Sequence, residues 1–319
     1  MKNKNILITG GAGFIGFNLY KKISKNNEIY ILDFKKNINR KPFRKNCKFI
    51  YGNIAYLKKF ENLKKTKIKF DYIYHLAAET STSVAELNPK KCYETNVLGT
   101  LNLFNYACFA KPKNIIFTSS MAVYGKYSVK LSEDQLCRPI SYYGKSKIIG
   151  EEILLSLLSF NINIKIFRIF NAYGIFQDYN NPHQGMLSIY LSQIIRKSSV
   201  NVTGSLSRSR DFIYIDDIIR AITSSKIIES KHTNIFNLGS GIETKVSKIL
   251  NLIFKITKKD KKIIIKSKHS GDTNKSCANI KKLNKIGWCP KISLIDGIKK
   301  VIKDIYKFDD NNCSFNWKR

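Results

Sequence analysis

The sequence predicts an α/β protein that is built on a doubly wound parallel sheet and completed by a smaller C-terminal α/β domain. Up to residue 171, apolar runs that suit buried strands alternate with amphipathic runs that suit helices. Such alternation favours parallel strands joined by right-handed crossovers. Beyond residue 171 the alternation loosens. We therefore expect one domain over residues 1–171 and a second over residues 172–319, with some later segments packing back on the first.

The first element is a strand, a glycine turn and a helix within Asn5–Gly16, NILITGGAGFIG. Gly10, Gly13 and Gly16 recur there at a three-residue step. In this arrangement the first glycine makes the tight turn, the second lets a phosphate approach the backbone, and the third lets the helix lie close to the strand. The helix N-terminus then offers N–H groups and a positive dipole end to a pyrophosphate. The alternative is a glycine-rich turn that binds no ligand. The residue at the end of the second strand helps to decide between the two.

That second strand, Glu28–Leu32, ends at Asp33. An acidic residue about 20 positions after the first glycine is where a carboxylate accepts both hydroxyls of an adenosine ribose. Its charge would also repel a 2′-phosphate, so Asp33 favours NAD over NADP. Lys35 and Lys36 soften this preference without reversing it.

The alternation continues to a serine at the end of the fifth strand. Ala77 and Ala78 are small enough for a backbone that passes close beneath a dinucleotide, and Ser120 falls at the sheet edge where ligands bind. The predicted elements up to this point are strands over 47–51, 71–76 and 114–118, and helices over 55–66 and 89–110.

Tyr143 and Lys147 lie four residues apart in the next predicted helix, over 142–160, and therefore share one face. A tyrosine is a poor base at neutral pH while its pKa stays near ~10. A lysine ammonium one turn away, together with a positively charged nicotinamide ring, would lower the pKa of Tyr143 by stabilising the phenolate. Tyr143 would then take a proton from a substrate hydroxyl as hydride leaves the same carbon, while Ser120 hydrogen-bonds that oxygen.

The second half of the chain is predicted to form the smaller α/β domain, which lids the first. A strand over 164–169 ends near Asn171, at the same sheet edge as Ser120. The predicted elements that follow are a helix over 186–198, strands over 200–204 and 235–238, and a final helix rich in Lys and Ile.

The composition narrows the class of protein. A chain of 319 residues that is 43% hydrophobic supports a full core. No apolar segment approaches the ~18 residues that a membrane span requires, and the N-terminus runs straight into the first strand without a signal peptide. We therefore expect a cytoplasmic protein without membrane partners. The seven cysteines form no CxxC pair, which argues against a disulfide framework and a metal site.

The net charge of +33 raises the question of a polyanionic partner. The lysines are spread over nearly every predicted surface, and no groove of arginines with interleaved aromatic residues is evident. Nucleic-acid binding is therefore not the expected main role. Attraction of a doubly negative nucleotide sugar is the expected consequence.

The motifs TGGAGFIG, HLAA, SSMAVYG, YYGKSK, RIFNAYG, RDFIYIDD and FNLGSG occur in this order between Thr9 and Gly241. As a set they resemble the extended short-chain dehydrogenase/reductase family, whose dinucleotide domain is Rossmann-type. Within it the chain is similar to NAD-dependent sugar-nucleotide epimerases of the UDP-glucose 4-epimerase type. The resemblance implies a tightly held NAD, a UDP-hexose substrate and a homodimer formed by the helices over 89–110 and 143–160. The NAD contacts that it implies are Gly10, Gly13, Phe14, Ile15, Gly16, Asp33, Asn53, Ile54, Leu76, Ala77, Ala78, Asn96, Tyr143 and Lys147.

The resemblance also implies a substrate site. Ser120 and Tyr143 would contact the sugar, and Asn171 and Arg210 match positions that hold the nucleotide diphosphate. His269 falls where a second phosphate-binding arginine is expected, and a neutral imidazole would weaken that clamp. Hydride would pass from a hexose carbon, typically C4, to the cofactor and would return to the opposite face of the rotated keto-sugar.

Three functions stay open at this point. The first is the epimerase, and the second is a decarboxylase, dehydratase or reductase that acts on a related sugar nucleotide. Dehydratases and decarboxylases of this family resemble one another in an acidic residue just after the active Ser or Thr, where this chain has Met121 and Ala122. An elimination reaction would therefore lack the carboxylate that serves as its acid or base. The third function, from another class, is a non-catalytic NAD-sensing or nucleic-acid-binding protein.

Overall fold

The computed structural model describes residues 2–34, 43, 47–126, 130–183, 185–197, 199–230, 234–260, 262–266 and 275–316. The strands of these residues, numbered in chain order, are β1 Asn5–Thr9, β2 Glu28–Asp33, β3 Cys47–Tyr51, β4 Tyr72–His75, β5 Asn114–Ser120, β6 Asn163–Ile169, β7 Asn171–Tyr173, β8 Val200–Thr203, β9 Ser209–Tyr214, β10 Ile235–Leu238, β11 Glu243–Lys245 and β12 Ile263–Lys266.

The α-helices of the same residues are α1 Phe14–Ile23, α2 Leu57–Lys65, α3 Thr82–Leu87, α4 Pro89–Tyr93, α5 Gly99–Ala110, α6 Tyr142–Leu155, α7 Met186–Lys197, α8 Ile215–Ile222, α9 Ser225–Ile228, α10 Val246–Thr257, α11 Lys281–Lys285 and α12 Leu294–Asn316. A π-helical turn, Glu94–Leu98, joins α4 to α5, and short 3₁₀ turns lie at Met121–Val123 and Ser156–Phe160.

The main sheet has seven parallel strands within the described residues, in the order β3-β2-β1-β4-β5-β6-β10. Successive residues of a strand face opposite sides of a sheet. Ile6 and Ile8 of β1 belong to one buried apolar cluster, and Leu7 between them belongs to another. Both faces of the sheet are therefore covered, as all-parallel sheets require. The predicted doubly wound α/β fold is confirmed.

The chain reverses direction across the sheet between β1 and β4, which are neighbours although they are not consecutive in the sequence. In open α/β sheets, ligands bind at such a switch point, outside the carboxyl ends of the strands. The two strand ends meet closely, because a Cβ on Gly10 would lie 2.6 Å from Cα of Ala77. This crevice is where the sequence places its glycine turn.

The second half of the chain adds two small sheets. β7 pairs with β9 in parallel, and β11 pairs with β9 antiparallel, while β8 and β12 form a parallel pair. β10 instead returns to the main sheet beside β6. The division at residue 171 stays a prediction, and the return of β10 agrees with the expectation that later segments pack on the first domain.

The helix predicted over 89–110 matches the bounds of the observed helical segment, within which the π-helical turn joins α4 to α5. The unpredicted α3 precedes it. Asn96 lies within the π-helical turn and is 3% exposed, with its side chain hydrogen-bonded to the backbone of Glu79. Local periodicity does not show this tertiary contact, and it therefore predicted a regular helix without the π-helical turn. In the described part of the chain, no helix is both long and apolar enough to cross a membrane.

Candidate active site

A cleft of about 700 Å³ opens at the carboxyl ends of the central strands. Among the residues that the sequence singled out, those that line this cleft are Gly10, Gly13, Phe14, Ile15, Gly16, Asp33, Asn53, Ile54, Leu76, Ala77, Ala78, Ser120, Tyr143, Lys147 and Asn171. Asn96 and Arg210 lie behind the lining, and His269, Lys35 and Lys36 fall outside the described residues. The structure thus brings the glycine turn and the predicted reactive side chains into one cavity.

The glycine turn forms a cradle that side chains would fill. Gly10 adopts a φ of +72°, and a Cβ there would collide with the backbone of Ala77. A Cβ on Gly13 would lie 3.2 Å from the carbonyl oxygen of Gly10, and one on Gly16 would overlap the same atom. Gly13 caps α1 without a side-chain hydrogen bond, and the first turn of α1 carries no acidic residue. These features fit the pyrophosphate of a dinucleotide.

Asp33 lies at the end of β2, where its side chain is 8% exposed and still borders the cleft. Its Oδ2 accepts a hydrogen bond of 2.9 Å from the backbone N–H of Ala12, inside the glycine turn. The carboxylate is thereby fixed beside Asn53 and Ile54, which also line the cleft. This placement fits an adenosine ribose and its adenine, because a fixed carboxylate can accept hydrogen bonds from both ribose hydroxyls.

Two predicted contacts are less direct in the structure. Asn96 is buried beneath the wall of the cleft, so its predicted contact with the cofactor would act through the backbone of Glu79. Arg210 is 3% exposed on β9, and its Nη1 donates to the carbonyl oxygen of Ser209 at 2.8 Å. Asn171 lines the cleft and donates from Nδ2 to the carbonyl oxygen of Asp211 at 3.0 Å. The phosphate-binding roles of Asn171 and Arg210 stay predictions.

Ser120, Tyr143 and Lys147 come together from two elements. Ser120 is the last residue of β5, and its Oγ accepts from the N–H of Ala122 at 3.2 Å. Tyr143 lies in the first turn of α6, which begins after the N-cap Ser141, and its phenol hydrogen-bonds Ser120. Lys147, one turn later, places its Nζ 4.2 Å from the ring centroid of Phe117. All three residues line the cleft, and their catalytic roles stay predictions.

Burial controls the acidity of Tyr143 and Lys147 in the chain by itself. Burial raises the pKa of Tyr143 to about 12, and the hydrogen bond from Ser120 lowers it only in part. Burial also lowers the pKa of Lys147 to about 7, against an opposing effect of Glu151. The predicted lowering of the pKa of Tyr143 by Lys147 together with a nicotinamide ring depends on the charge of the bound cofactor and stays a prediction. Depression of the phenol pKa would need a further positive charge in the cleft.

The sequence reasoning missed a buried ion pair below the reactive groups. Glu151 of α6 accepts from Nη2 and Nε of Arg168 on β6, at 2.7 and 3.0 Å to Oε2 and Oε1 respectively. Ser119 donates to the same carboxylate and lies opposite Arg168 in the β5–β6 register. Glu151 follows Lys147 by four residues, and that i,i+4 acid is the signal in the sequence that points to it.

The cleft wall beyond β4 was also missed. Glu79, Thr80 and Ser81 follow the small residues Ala77 and Ala78 and line the cleft. The same cavity reaches the loop before α7, where it is lined by Gln177, Asn181 and His183. Three polar residues in a row, shortly after a strand that ends at the ligand edge, were the available signal.

Comparisons with known proteins agree with this geometry. A sequence model of the NAD dependent epimerase/dehydratase family matches residues 6–239. A protein of Methanocaldococcus jannaschii that is provisionally named a UDP-glucose 4-epimerase is 31% identical over 304 residues, which cover 93% of this chain and 97% of that protein. UDP-glucuronic acid decarboxylase 1 of Arabidopsis thaliana is 28% identical over 314 residues, covering 95% and 70% of the two chains. The crystal structure of a Thermotoga maritima UDP-glucose 4-epimerase with UDP-glucose superposes with a TM-score of 0.89 at 29% identity, covering 95% of this chain and 99% of that one.

Proposed function

Since the chain belongs to the NAD-dependent epimerase/dehydratase family, within the extended short-chain dehydrogenases/reductases, we propose that it epimerises a nucleotide-diphosphate sugar in the manner of a UDP-hexose 4-epimerase. The observation that carries this proposal is the meeting of Ser120, Tyr143 and Lys147 in the cleft that begins at the glycine turn. A hydroxyl held by Ser120 and Tyr143 would lie at the carboxyl edge of the sheet, where the cofactor is expected.

We propose NAD as the cofactor. The glycine turn and the N-terminus of α1 would hold its pyrophosphate, and Asp33 would hold its adenosine ribose. When bound, NAD would accept a hydride from the sugar carbon and later return it. The fixed Asp33 carboxylate supports NAD over NADP, because a 2′-phosphate would have to approach a buried negative charge.

Ser120, Tyr143 and Lys147 would transfer the proton of the substrate hydroxyl. Ser120 and Tyr143 share a hydrogen bond and would both contact the substrate oxygen. Because burial opposes ionisation of Tyr143, the phenol is protonated until a substrate and a positive charge enter the cleft. Tyr143 would then release its proton to water, and Lys147 would stabilise the phenolate. The phenolate would take the proton of the substrate hydroxyl as hydride leaves the same carbon, while Ser120 hydrogen-bonds the substrate oxygen. The same pair would return the proton when the sugar is reduced again.

A decarboxylase, dehydratase or reductase of the same family is the second candidate. The similarity to a UDP-glucuronic acid decarboxylase supports it. Elimination or decarboxylation would need an acid or base at the carbon next to the oxidised one. Met121 lines the cleft after Ser120, and Ala122 follows it, so this position offers no carboxylate. This absence at residues 121 and 122 favours epimerisation.

A non-catalytic NAD-sensing or nucleic-acid-binding role is the candidate from another class. The net charge of +33 favours it, and the assembled Ser120, Tyr143 and Lys147 set favours catalysis. A steep loss of polynucleotide affinity with salt would be expected even from unspecific binding by lysines. Preference for a particular sequence or structure of nucleic acid would therefore be needed to support this role.

The proposed function is tested by incubating the purified protein with UDP-glucose and with UDP-galactose. We expect each to be converted to the other without net formation of NADH, and mass spectrometry of co-purifying nucleotides should show NAD. Stoichiometric NADH or release of CO₂ from UDP-glucuronate would instead favour the second candidate. No change in any sugar nucleotide, with NAD present in the protein, would reject the epimerase.

We also propose a homodimer in which α5 and α6 of two copies pack together. Large apolar side chains are exposed on α5, on the π-helical turn before it and on the 3₁₀ turn after α6. They are Leu98, Leu101, Phe109, Leu158 and Phe160, with exposed fractions between 40% and 61%. Exposed apolar side chains clustered on adjacent elements are typical of interaction surfaces. A four-helix contact would remove them from water.

A further inference from the structure

Glu79 is a carboxylate on the wall of the cleft that neither the sequence analysis nor the proposed reaction uses. It follows Ala77 and Ala78 at the end of β4 and lines the cleft together with Thr80 and Ser81. Its side chain is partly buried. In the described part of the chain, its carboxylate has no hydrogen-bond donor and no ion-pair partner, although the protein carries 56 lysines and arginines against 23 acidic residues.

The backbone of Glu79 is held in place by the buried Asn96. The N–H of Glu79 donates to Asn96 Oδ1 at 2.8 Å, and Asn96 Nδ2 donates to the carbonyl oxygen of Glu79 at 3.0 Å. Asn96 Nδ2 also donates to Ser146 Oγ at 2.9 Å, and Ser146 Oγ donates to the carbonyl oxygen of Tyr143 at 2.8 Å. One chain of hydrogen bonds therefore fixes Glu79 relative to the helix that carries Tyr143. The side chain of Glu79 extends from a rigid base.

The Glu79 carboxylate lies close enough to influence the reactive phenol. It is one of the charges that raise the pKa of Tyr143, after burial, which is the largest cause. It acts in the same direction on the pKa of Cys92, which is buried between α4 and α6. Because Glu79 lines the same cleft as Ser120 and Tyr143 and is tied by hydrogen bonds to the helix of Tyr143, we expect a sugar held by these two residues to lie within reach of the Glu79 charge.

Positive charge on the same wall is limited. No arginine is found among the described residues that line the cleft. Lys147 is 3% exposed and lies against Phe117, beneath the reactive groups. Lys91 lines the cleft on α4, and Glu94, which also lines it, pairs with Lys90 at 4.0 Å. An anionic substituent on the sugar would meet Glu79 without a dedicated cation.

We propose that the Glu79 carboxylate makes the cleft select an uncharged hexose, whose hydroxyls can donate hydrogen bonds to it, over a hexuronate. The carboxylate of a hexuronate is attached to C5, next to the C4 that the proposed reaction addresses. Two carboxylates that face each other in a partly desolvated cleft repel each other, whereas a hydroxyl group can donate a hydrogen bond to the Glu79 carboxylate. This inference deepens the proposed function and rests on it for the orientation of the sugar.

The test is a binding measurement by titration calorimetry on the full-length protein with UDP, UDP-glucose and UDP-glucuronate. We expect the wild-type protein to bind UDP-glucose at least about tenfold more tightly than UDP-glucuronate. In Glu79→Gln this preference should fall by about tenfold while the affinity for UDP alone is unchanged. Glu79→Asp should retain the preference. The matched control is Glu61→Gln, which removes an exposed carboxylate on α2 and should change neither ratio.

Equal or tighter binding of UDP-glucuronate by the wild-type protein would overturn the inference, as would a preference that Glu79→Gln leaves intact. The outcome for the proposed function is read separately. If neither UDP-hexose is inverted but Glu79→Gln still abolishes the preference, the epimerase proposal fails and the selection by charge stands. If the hexoses are inverted and the preference does not depend on Glu79, the epimerase proposal stands and the selection by the Glu79 charge fails.

Discussion

Arg168 donates two hydrogen bonds to the Glu151 carboxylate, from Nη2 to Oε2 at 2.7 Å and from Nε to Oε1 at 3.0 Å. Glu151 lies one helical turn after Lys147 on α6. The side chains of Arg168 and Glu151 are at most 5% exposed. Ser119 completes the contact from the neighbouring strand. The ion pair therefore joins β5, β6 and α6 at the point where these elements present Ser120, Tyr143 and Lys147 to the cleft.

We expect Arg168→Met to lower the free energy of unfolding by about 3–5 kcal/mol, because it leaves Glu151 buried without its partner. The double variant Arg168→Met/Glu151→Leu should recover much of this loss, since an apolar pair carries no unpaired charge. Urea denaturation followed by circular dichroism measures both. A double variant that is less stable than Arg168→Met alone would contradict this account of the pair.

Tyr143→Phe should reduce the rate of hexose inversion by about 10²–10⁴-fold, which is the usual contribution of a positioned acid or base. NAD should still co-purify, because the glycine turn and Asp33 are untouched. The neighbouring Tyr142→Phe is the matched control: Tyr142 is 38% exposed, and its removal should leave the rate within about twofold of wild type. Undiminished inversion by Tyr143→Phe would reject the assigned base.

Asp33→Asn should weaken NAD binding by about 10- to 100-fold, since it replaces hydrogen bonds to a charged acceptor that are worth ~1.5–3 kcal/mol. Binding of NADP should weaken less or improve, because the repulsion of a 2′-phosphate is removed. Fluorescence titration of the protein with both dinucleotides gives the two affinities. Asp134→Asn, which alters an exposed carboxylate paired with Lys282, is the control. An unchanged ratio of the two affinities would remove Asp33 from the ribose site.

His75 should make the protein less stable as the pH falls below about 6. Burial lowers the pKa of His75 to about 3 in the folded protein, against 6.5 for an ordinary imidazole. Between these values the unfolded chain binds the extra proton, so the free energy of unfolding should fall by ~1.4 kcal/mol per pH unit at most. Thermal melts between pH 6.5 and 4 measure this slope.

The control for that measurement is His75→Gln, which can still hydrogen-bond Thr9 and Thr100, the partners of the ring at 2.8 and 2.9 Å. Its stability should depend on pH less steeply than that of the wild-type protein over the same range. Parallel slopes for the two proteins would show that His75 does not contribute to the loss.

Leu101→Glu should halve the mass observed by analytical ultracentrifugation, because it places a charge in the centre of the proposed contact between α5 and α6 of two copies. Ile295→Glu is the matched control, since Ile295 is similarly exposed on α12, outside the elements proposed to form this surface. A wild-type protein that is monomeric at micromolar concentration would refute the dimer.

The sequence predicted most of the main sheet, because long apolar runs bounded by turns identify buried parallel strands. The predicted strand over 235–238 coincides with β10, and the glycine turn and Asp33 lie where their spacing placed them. The resemblance to the extended short-chain dehydrogenase/reductase family is likewise confirmed. Short elements such as α3 and β7 were missed, since six and three residues carry little periodicity.

Other features depended on contacts between distant residues. The π-helical turn within the 89–110 helix contains Asn96, whose hydrogen bonds with the backbone of Glu79 belong to no repeating pattern in the sequence. The Glu151–Arg168 pair depends on the register of β5 against β6. The burial that raises the pKa of Tyr143 could not be read from the sequence, which shows the neighbouring lysine but not the depth of the phenol.

The position of β10 has a consequence for synthesis of the chain. β10 is the outer neighbour of β6, yet Leu238 follows Ile169 by almost seventy residues. At ~5–20 residues per second, the ribosome delivers β10 on the order of ten seconds after β6. During that interval β6 presents unpaired N–H and C=O groups along an apolar edge, which is a template for pairing with another chain. A fragment that stops at residue 171 would keep this edge permanently, so it should aggregate on expression, whereas a fragment that extends beyond β10 should not.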